Sequence, residues 1–558
     1  MSCDALNPHP EARHFRRKPE EVMRLARLGS FHPTRISFMQ TLLRRLKREG
    51  WRFARDLWQI DDKGVGRATY RVVGPERTYT LVAFAHDLPD EQRSDRVIAT
   101  AWDATFTLFD GIPSAADLDR LEANVPKQEA GRVSDSELTL SRANRSVRLF
   151  AHVVERLAAG RQPDRAQLEA VGYLMRTTAV YGSGKFGAAD RRKIAERPEL
   201  SGPFQAEMLS VWLTRAFTLD LVEHLARVRG GDAAVAMDPE LRRLLGVGNS
   251  TGLGMAPFLM NHPVLLNNWM LAREEALARV RAQASASASE VEAFRQALLA
   301  AQKNAATWSS EHPIQQSKLA ALRSDLAILA AELDGELLKE EPYPWNRLWL
   351  WGERTLSLEG QEALVSLLLE PQGDLVDELS QCMDADEDAA FRIDGSMTVV
   401  ELQAILGRVF DWAMDMDFSW EGNDARFWYV SEEKLEPRLG ERHSEAGADL
   451  EQPLSTGRDA QRLSRDLQAW SDDASIADFL LSHPEHRHTV RRSQIAAAYP
   501  FSEVRDNLIS ADLLPIDLLR CKLSFFGATR FDPRSDRWVR ICMYPGAPFP
   551  HELLEPAS

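Results

Sequence analysis

The chain has 558 residues, 44% of them hydrophobic and 27% charged, so it is long enough for two or three globular domains and too apolar for general disorder. Its formal net charge of −15 argues against nucleic acid as the main ligand, because binding to a phosphate backbone needs a surplus of Lys and Arg. It contains no apolar run of about 18 residues, no signal-like N-terminus and no CxxC spacing among its four cysteines. We therefore expect a soluble, cytoplasmic protein that does not associate with a membrane.

The first part of the chain is basic. Between Glu11 and Trp58 it carries 13 Lys and Arg against 5 Asp and Glu. Apolar residues recur there at helical spacing, as at Ile36, Met39 and Leu43, which predicts an amphipathic helix. We interpret its basic face as lying on the protein's own acidic body. The alternative is an arm that contacts an acidic partner.

Short segments between residues 51 and 110 are rich in Val, Thr and aromatic residues and are separated by Gly, Pro or Asp, a pattern typical of antiparallel strands. They predict a small N-terminal α+β domain at 1–115. Residues 116–416 are predicted as a helical body, and residues 417–558 as a polar, aromatic-rich segment followed by helices and a β-hairpin that packs on the body. The predicted fold class is therefore mainly α: a multi-helical body with an N-terminal region of antiparallel strands and a C-terminal β-hairpin.

Three segments of the body carry predictions that bear on the fold. The pattern of residues 165–182 predicts a single helix. Residues 125–148 are predicted as a polar loop that leads into a helix, and residues 241–247 as the end of a helix before a flexible loop. On these predictions, residues 116–416 consist of helices joined by loops.

The first glycine-rich sequence, YGSGKFG at 181–187, combines three glycines with Tyr181, Ser183 and Lys185. It fails the Walker A pattern at two positions, and the dehydrogenase-like spacing of Tyr181 and Lys185 needs a continuous helix that the glycines disfavour. Glycines that adopt positive φ expose backbone amides, so we predict an anion-binding turn in which Lys185 holds the charge and Tyr181 moves a proton. The alternative is a plain turn between helices.

The second glycine-rich sequence, 246–255, surrounds Asn249, Ser250 and Thr251. It lacks the dinucleotide-binding fingerprint, but three small hydrogen-bonding side chains in a flexible loop predict contacts to a carboxylate, sugar or phosphate. The G-x-S-x-G of residues 248–252 also makes Ser250 a candidate nucleophile. The helix predicted before it and the proline that soon follows argue against that role.

His262 follows this loop and precedes the proline that starts the next helix, which makes it a candidate general base or ligand contact. The alternative is that a His-Pro pair simply marks a helix start. Five of the 13 histidines precede proline, namely His9, His32, His262, His312 and His483.

Residues 427–445 combine aromatic side chains with a dense run of charges. We predict Glu433 as an acid or base, and Arg438 and Arg442 as a clamp for a carboxylate. The leading alternative is a solvated charged face.

No metal site is predicted. The histidines of 483–488 lack zincin spacing, and residues 384–395 lack the glycine and the final carboxylate of an EF-hand loop. No fingerprint names an organic cofactor either, so cofactor use is unknown from the sequence, and homo-oligomer formation stays open.

These observations predict an enzyme that acts on a small anionic metabolite by general acid–base chemistry, as a lyase, isomerase or hydrolase would. Its pocket is predicted to combine the two glycine-rich sequences with residues 427–445. The alternative is a non-catalytic helical scaffold or regulator that uses its basic N-terminal arm. The sequence does not distinguish the reaction type or the substrate.

Overall fold

The computed structural model describes residues 10–89, 101–125, 134–177, 194, 196–251, 262–333, 338, 342–383, 391–418, 428–430, 437–439, 452–453, 456–505, 514–528, 530–533 and 539–553. The helices of this part are α1 (Pro19–Val22), α2 (Leu25–Leu28), α3 (Phe38–Arg48), α4 (Ala115–Asn124), α5 (Phe150–Ala158), α6 (Arg165–Val171), α7 (Gln205–Gly230), α8 (Pro239–Leu244), α9 (Pro263–Arg281), α10 (Ala288–Thr307), α11 (Pro313–Leu333), α12 (Pro344–Thr355), α13 (Leu358–Leu369), α14 (Gly373–Ser380), α15 (Val399–Val409), α16 (Asp411–Met414), α17 (Thr456–Leu467), α18 (Ile476–Ser482), α19 (Arg487–Ala498) and α20 (Pro515–Phe526).

The strands form two sheets. They are β1 (Arg52–Ile60), β2 (Gly66–Val73), β3 (Thr78–Ala85), β4 (Ala104–Asp110), β5 (Glu137–Arg145), β6 (Tyr173–Thr177), β7 (Gly246–Thr251), β8 (Trp428–Val430), β9 (Pro437–Leu439), β10 (Gln452–Pro453), β11 (Arg530–Pro533) and β12 (Val539–Met543). The large sheet has nine strands in the order β1-β2-β3-β4-β5-β6-β7-β12-β11, and the small one has the order β10-β8-β9. In the large sheet β6 and β7 run parallel, and every other neighbouring pair is antiparallel.

The large sheet curves as a half-barrel, and the long helix α7 packs on its inner face. Phe217 of α7 contacts Phe106 of β4 with ring centroids 5.4 Å apart, and Phe53 of β1 contacts Trp212 of α7 at 4.9 Å. Most residues of the first five turns of α7 are buried. A helix enclosed in this way has little amphipathic pattern, because nearly all of its faces touch protein.

The predicted fold class is wrong. The N-terminal antiparallel strands and the C-terminal strands β11 and β12 are not two separate β-regions but parts of one sheet that spans residues 52–543, and residues 521–526, expected in the hairpin, belong to helix α20. Strands β5, β6 and β7 connect the two groups of strands, and all three lie in the segment predicted to be helical. The chain thus builds a mixed sheet through its middle instead of two separate β-regions.

Each missed strand has a local reason. β6 begins directly after α6, and the turn between them depends on Gly172, which adopts a left-handed φ of +81° that ends the helix. β5 carries polar side chains that are nevertheless buried, so its sequence resembles a loop. In β7, a Cβ on Gly248 would lie 2.4 Å from the ring of Tyr173, so this glycine allows close packing between strands.

The basic N-terminal segment folds back on the protein's own acidic side chains. Arg17 donates to both carboxylate oxygens of Glu274 and to Glu362, each at 2.8 Å, and Arg27 donates to the same Glu362 at 2.8 Å. Arg273 bridges both glutamates.

Arg17 and Arg27 precede the predicted amphipathic helix. Within that helix, α3, Arg44 donates to Asp377 at 2.6 Å, which favours our interpretation of a basic face that lies on the acidic body.

A second, smaller hydrophobic core lies between residues 399 and 496. It includes Leu402 and Phe410 from the helices near residue 400, and Leu463 and Phe479 from later ones. The main core, in contrast, runs continuously from the N-terminal helices to the C-terminal strand β12.

Candidate functional site

The parallel strands β6 and β7 end at one edge of the large sheet. Arg176 of β6 pairs with Gly248 of β7, so the points at which the chain leaves these strands, after Thr177 and Thr251, lie on the same edge. The second glycine-rich sequence, 246–255, begins within β7, whereas residues 181–187 lie outside the described residues. The carboxyl ends of parallel strands are a common position for ligand sites in mixed and parallel sheets.

Asn249 is the central polar residue at this edge. Its side chain is 1% exposed, and neither its amide oxygen nor its amide nitrogen has a hydrogen-bond partner in the part of the chain that the structure describes. It pairs with Ile541 of β12 and lies on the same face of the strand as Val247, which belongs to the main core. Leaving a buried amide unsatisfied costs about 1–3 kcal/mol per group, so an unpaired Asn249 calls for an explanation.

Ser141 and Thr177 extend this polar region along the inner face of the sheet. Ser141 pairs with Phe106, whose ring contacts α7, and Thr177 pairs with Ala143 two residues further along β5. The Thr177 hydroxyl donates to the carbonyl oxygen of Arg142 at 3.2 Å. The Ser141 hydroxyl is 1% exposed and also has no partner among the described residues.

The N-terminus of α7 lies at the same edge. Thr139 lies on β5 beyond the end of β6, and its hydroxyl is 2.7 Å from that of Ser210 in the second turn of α7. Phe204, which precedes the helix, has a φ of +60° and makes no side-chain cap bond to the first-turn N–H groups. An N-terminus carries partial positive charge and favours anions. Glu207, in the first turn, is fully buried.

His262 lies close to this helix end. It precedes Pro263, the first residue of α9, and its ring lies perpendicular to that of Phe204 with centroids 6.4 Å apart. We define the carboxyl-edge site as the described side chains at this edge together with the start of α7: Ser141, Thr177, Phe204, Glu207, Asn249 and His262.

The outer face of the sheet also carries a buried asparagine, Asn144, but the amide of this residue is hydrogen-bonded. Asn144 of β5 accepts from the backbone N–H of Asp103 at 2.9 Å and donates to the carbonyl oxygen of Ala101 at 3.2 Å. The sheet thus contains two buried asparagines. Both amide atoms of Asn144 are hydrogen-bonded, whereas neither amide atom of Asn249 has a partner among the described residues.

The predicted site residues have different outcomes. Tyr181, Ser183, Lys185, Glu433 and Arg442 lie outside the described residues.

Asn249, Ser250 and Thr251 belong to strand β7, and not to the flexible loop that we predicted. Ser250 pairs with Arg540 of β12, whereas a nucleophile-elbow serine lies on the turn after its strand. Arg438 lies in β9 of the small sheet, so the backbone of the third predicted segment belongs to a different sheet from β7.

We did not predict Ser141, Thr177 or Glu207 as site residues from the sequence. The alternation of Leu138, Thr139, Leu140 and Ser141 is a strand signal that the surrounding charges obscured. Glu207 lies four residues after Pro203, in the first turn of the long helix α7. An acidic residue in a first turn is a helix-start signal that could have drawn attention to it.

No family model, curated protein or solved structure matches the chain. None of the helices in the described ranges is long and apolar enough to cross a membrane. Those ranges also contain no group of three or more His, Cys, Asp or Glu side chains arranged for a metal ion. Cys382 is disulfide-bonded, a bond that the cytoplasm expected from the sequence disfavours, whereas Cys521 and Cys542 are buried free thiols.

Proposed function

We propose that the protein binds a small anionic metabolite at the carboxyl-edge site and acts on it by general acid–base chemistry. The observation that supports this proposal most directly is the unpaired, buried amide of Asn249 at the edge where α7 begins. A ligand that bonds to this amide would remove the cost of its burial, which gives the protein a reason to retain it.

The chemistry of the site favours a particular kind of anion. The first N–H groups of α7 and the amide nitrogen of Asn249 are donors suited to a carboxylate or phosphate. The amide oxygen of Asn249 requires a donor, which a hydroxyl group beside the anion would supply. A hydroxycarboxylate or a sugar phosphate carries both groups.

His262 and Glu207 are the described groups that could exchange a proton with such a ligand. His262 adjoins Phe204 at the start of α7, and Glu207 is buried one turn further along. One acid and one base at a bound hydroxy acid are the equipment of a lyase, an isomerase or a hydrolase. The scaffold alternative has less support, because acidic side chains of the same chain bind Arg17 and Arg27.

Ligand binding is tested by thermal shift with inorganic phosphate, sugar phosphates and hydroxycarboxylates on the full chain and on Asn249→Leu. We expect at least one compound to stabilise the wild type and to lose that effect in N249L. Asn144→Leu is the matched control, since it removes a buried asparagine from the same sheet but from the satisfied amide. Stabilisation that persists in N249L, or a panel in which no compound stabilises the wild type, would contradict the proposal.

The catalytic step is tested with the compounds that bind. Incubation in deuterated water should lead to deuterium incorporation into the ligand or to product, followed by mass spectrometry. We expect His262→Gln and Glu207→Gln to slow this reaction by about a hundredfold or more while the thermal shift is retained. Binding without any exchange or turnover in the wild type would leave a ligand-binding protein and refute the enzymatic part.

A further inference from the structure

A cavity of about 260 Å³ lies between α10, α11 and α13, and none of its lining residues belongs to the carboxyl-edge site. We call it the His32 cavity, because His32 and Pro33, from the loop before α3, line one side of it. Its volume is suited to a ligand with one or two rings and not to a nucleotide.

The walls of the His32 cavity are apolar because α10 presents alanines where it faces the opening. Ala297, Ala301 and Ala305 recur along one face of the helix, and Leu322 and Leu326 of α11 lie across from them. Leucine at these alanine positions would fill the space. The absence of bulk at three successive turns therefore creates the cavity.

One end of the cavity is aromatic and firmly held. The ring of His32 stacks on Trp308 with centroids 5.9 Å apart and planes 10° from parallel. The Nε2 atom of His32 is 3.3 Å from Arg520, and Arg520 binds both carboxylate oxygens of Glu359. This buried ion pair fixes the imidazole and, with it, the flat surface that a ring could contact.

The other polar side chains of the lining are Asn304, Ser366 and Glu370, and of these Glu370, at the end of α13, is the acidic one. Burial raises the pKa of Glu370 above its ordinary value, although Arg35 and Arg44 oppose the shift. The group therefore lies in a poorly hydrated environment in which a hydrogen-bond donor is favourable and a second negative charge is not.

We propose that the His32 cavity binds a small uncharged aromatic molecule with one hydrogen-bond donor, such as a phenol or an indole, whose ring lies among the alanines of α10 beside Trp308 and whose donor faces Glu370. This site differs from the carboxyl-edge site in position and in ligand charge. It neither requires the proposed function nor follows from it.

The test uses indole, 2-naphthol and 2-naphthoate as probes in ligand-observed NMR and calorimetry with the full chain. We expect indole and 2-naphthol to bind, and 2-naphthoate to bind at least about tenfold more weakly, because its carboxylate meets Glu370. Glu370→Gln should reduce that difference between the two naphthalenes. Failure of both neutral probes to bind, or equal binding of 2-naphthoate, would overturn the proposal.

Ala301→Phe should block the cavity and weaken indole binding at least about tenfold, whereas Ala306→Phe, an exposed position on the same helix outside the cavity, should change it by less than about twofold. Ala297→Leu is a second, smaller block that serves if A301F does not fold. Asn249→Leu should leave indole binding unchanged. Indole binding that survives both blocks, or is lost in N249L, would show that the ligand lies elsewhere.

Discussion

The protein buries polar groups in two regions that differ in how they are satisfied. Beneath α13, Arg17, Arg273, Glu274 and Glu362 form a network in which each charge has at least one opposite charge within hydrogen-bond distance. At the carboxyl edge of β6 and β7, the amide of Asn249 is equally buried but has no partner among the described residues.

On our proposal, this difference separates a network with a structural role from an amide that binds a ligand. The network connects the N-terminal segment to α9 and α13, which lie more than 250 residues away in the chain. Each charge has an opposite charge beside it, and the Arg273 Nε atom is left without a partner among the described residues. Because its charges are already paired, the network has little capacity for a charged ligand. An unsatisfied amide near the carboxyl end of a strand can still bind a ligand, and keeping this amide buried lowers the stability of the protein.

The largest expected effect follows from breaking the network. Burial alone would raise the pKa of Glu362, but Arg17 and Arg273 hold it well below its ordinary value, so its carboxylate is ionised. Glu362→Leu leaves these buried arginines without that charge and should lower the free energy of unfolding by about 3–5 kcal/mol in urea titrations. The control is Arg67→Ala, which removes ion pairs to the exposed Asp119 and Glu122 and should cost less than about 1 kcal/mol. Equal losses would refute the distinction between buried and exposed pairs.

The buried ion pair of Glu359 and Arg520 should make the free energy of unfolding fall in acid. Burial alone would raise the pKa of Glu359, but Arg520 and His32 lower it to about 2. A depressed carboxyl pKa contributes stability that is fully present above the unfolded value of 4.5 and is lost as the pH falls towards 2.

Urea midpoints of the wild type and of Glu359→Gln, measured across this range, should therefore converge as the pH falls. A gap between the two proteins that stays constant with pH would contradict the assignment of the shift.

The two asparagines allow the same comparison within one sheet. Asn144→Leu removes an amide that bonds on both sides and leaves the backbone groups of Asp103 and Ala101 without this partner, so it should lower the free energy of unfolding by about 1–3 kcal/mol. Asn249→Leu removes an amide without partners from a similar environment and should be neutral or stabilising in the absence of ligand. Chemical denaturation of both variants checks this, and a loss in N249L as large as that in N144L would mean that Asn249 is satisfied after all.

The smallest effect concerns the turn that creates β6. Gly172 has a left-handed φ, so Gly172→Ala should lower the free energy of unfolding by about 1–2 kcal/mol. Gly407→Ala, at an exposed helical position with open space around it, is the control and should stabilise by up to about 1 kcal/mol. Thermal denaturation of the two variants should give shifts of opposite sign.

Some of the helices and strands could be predicted from the sequence. Helical spacing of apolar residues predicted α3, because an amphipathic helix records its buried face locally, and a helical pattern also predicted the helices from α9 to α13. The N-terminal antiparallel strands were predicted from short segments rich in Val, Thr and aromatic residues between turn residues. The polar residues 249–251 were predicted as parts of a flexible loop but belong to strand β7, and their role in a site stays a prediction.

The sequence by itself determined elements that a local pattern sets, such as the amphipathic helix α3 and the N-terminal strands rich in Val, Thr and aromatic residues. Only the tertiary structure decided that β5, β6 and β7 join the N-terminal strands to the C-terminal strands, because strand pairing brings together segments far apart in the chain. Pairing of Asn249 with Ile541 likewise decided that the Asn249 amide would be buried with no partner among the described residues. Burial and hydrogen bonding depend on neighbours that the local sequence does not specify, and for that reason the site emerged only from the fold.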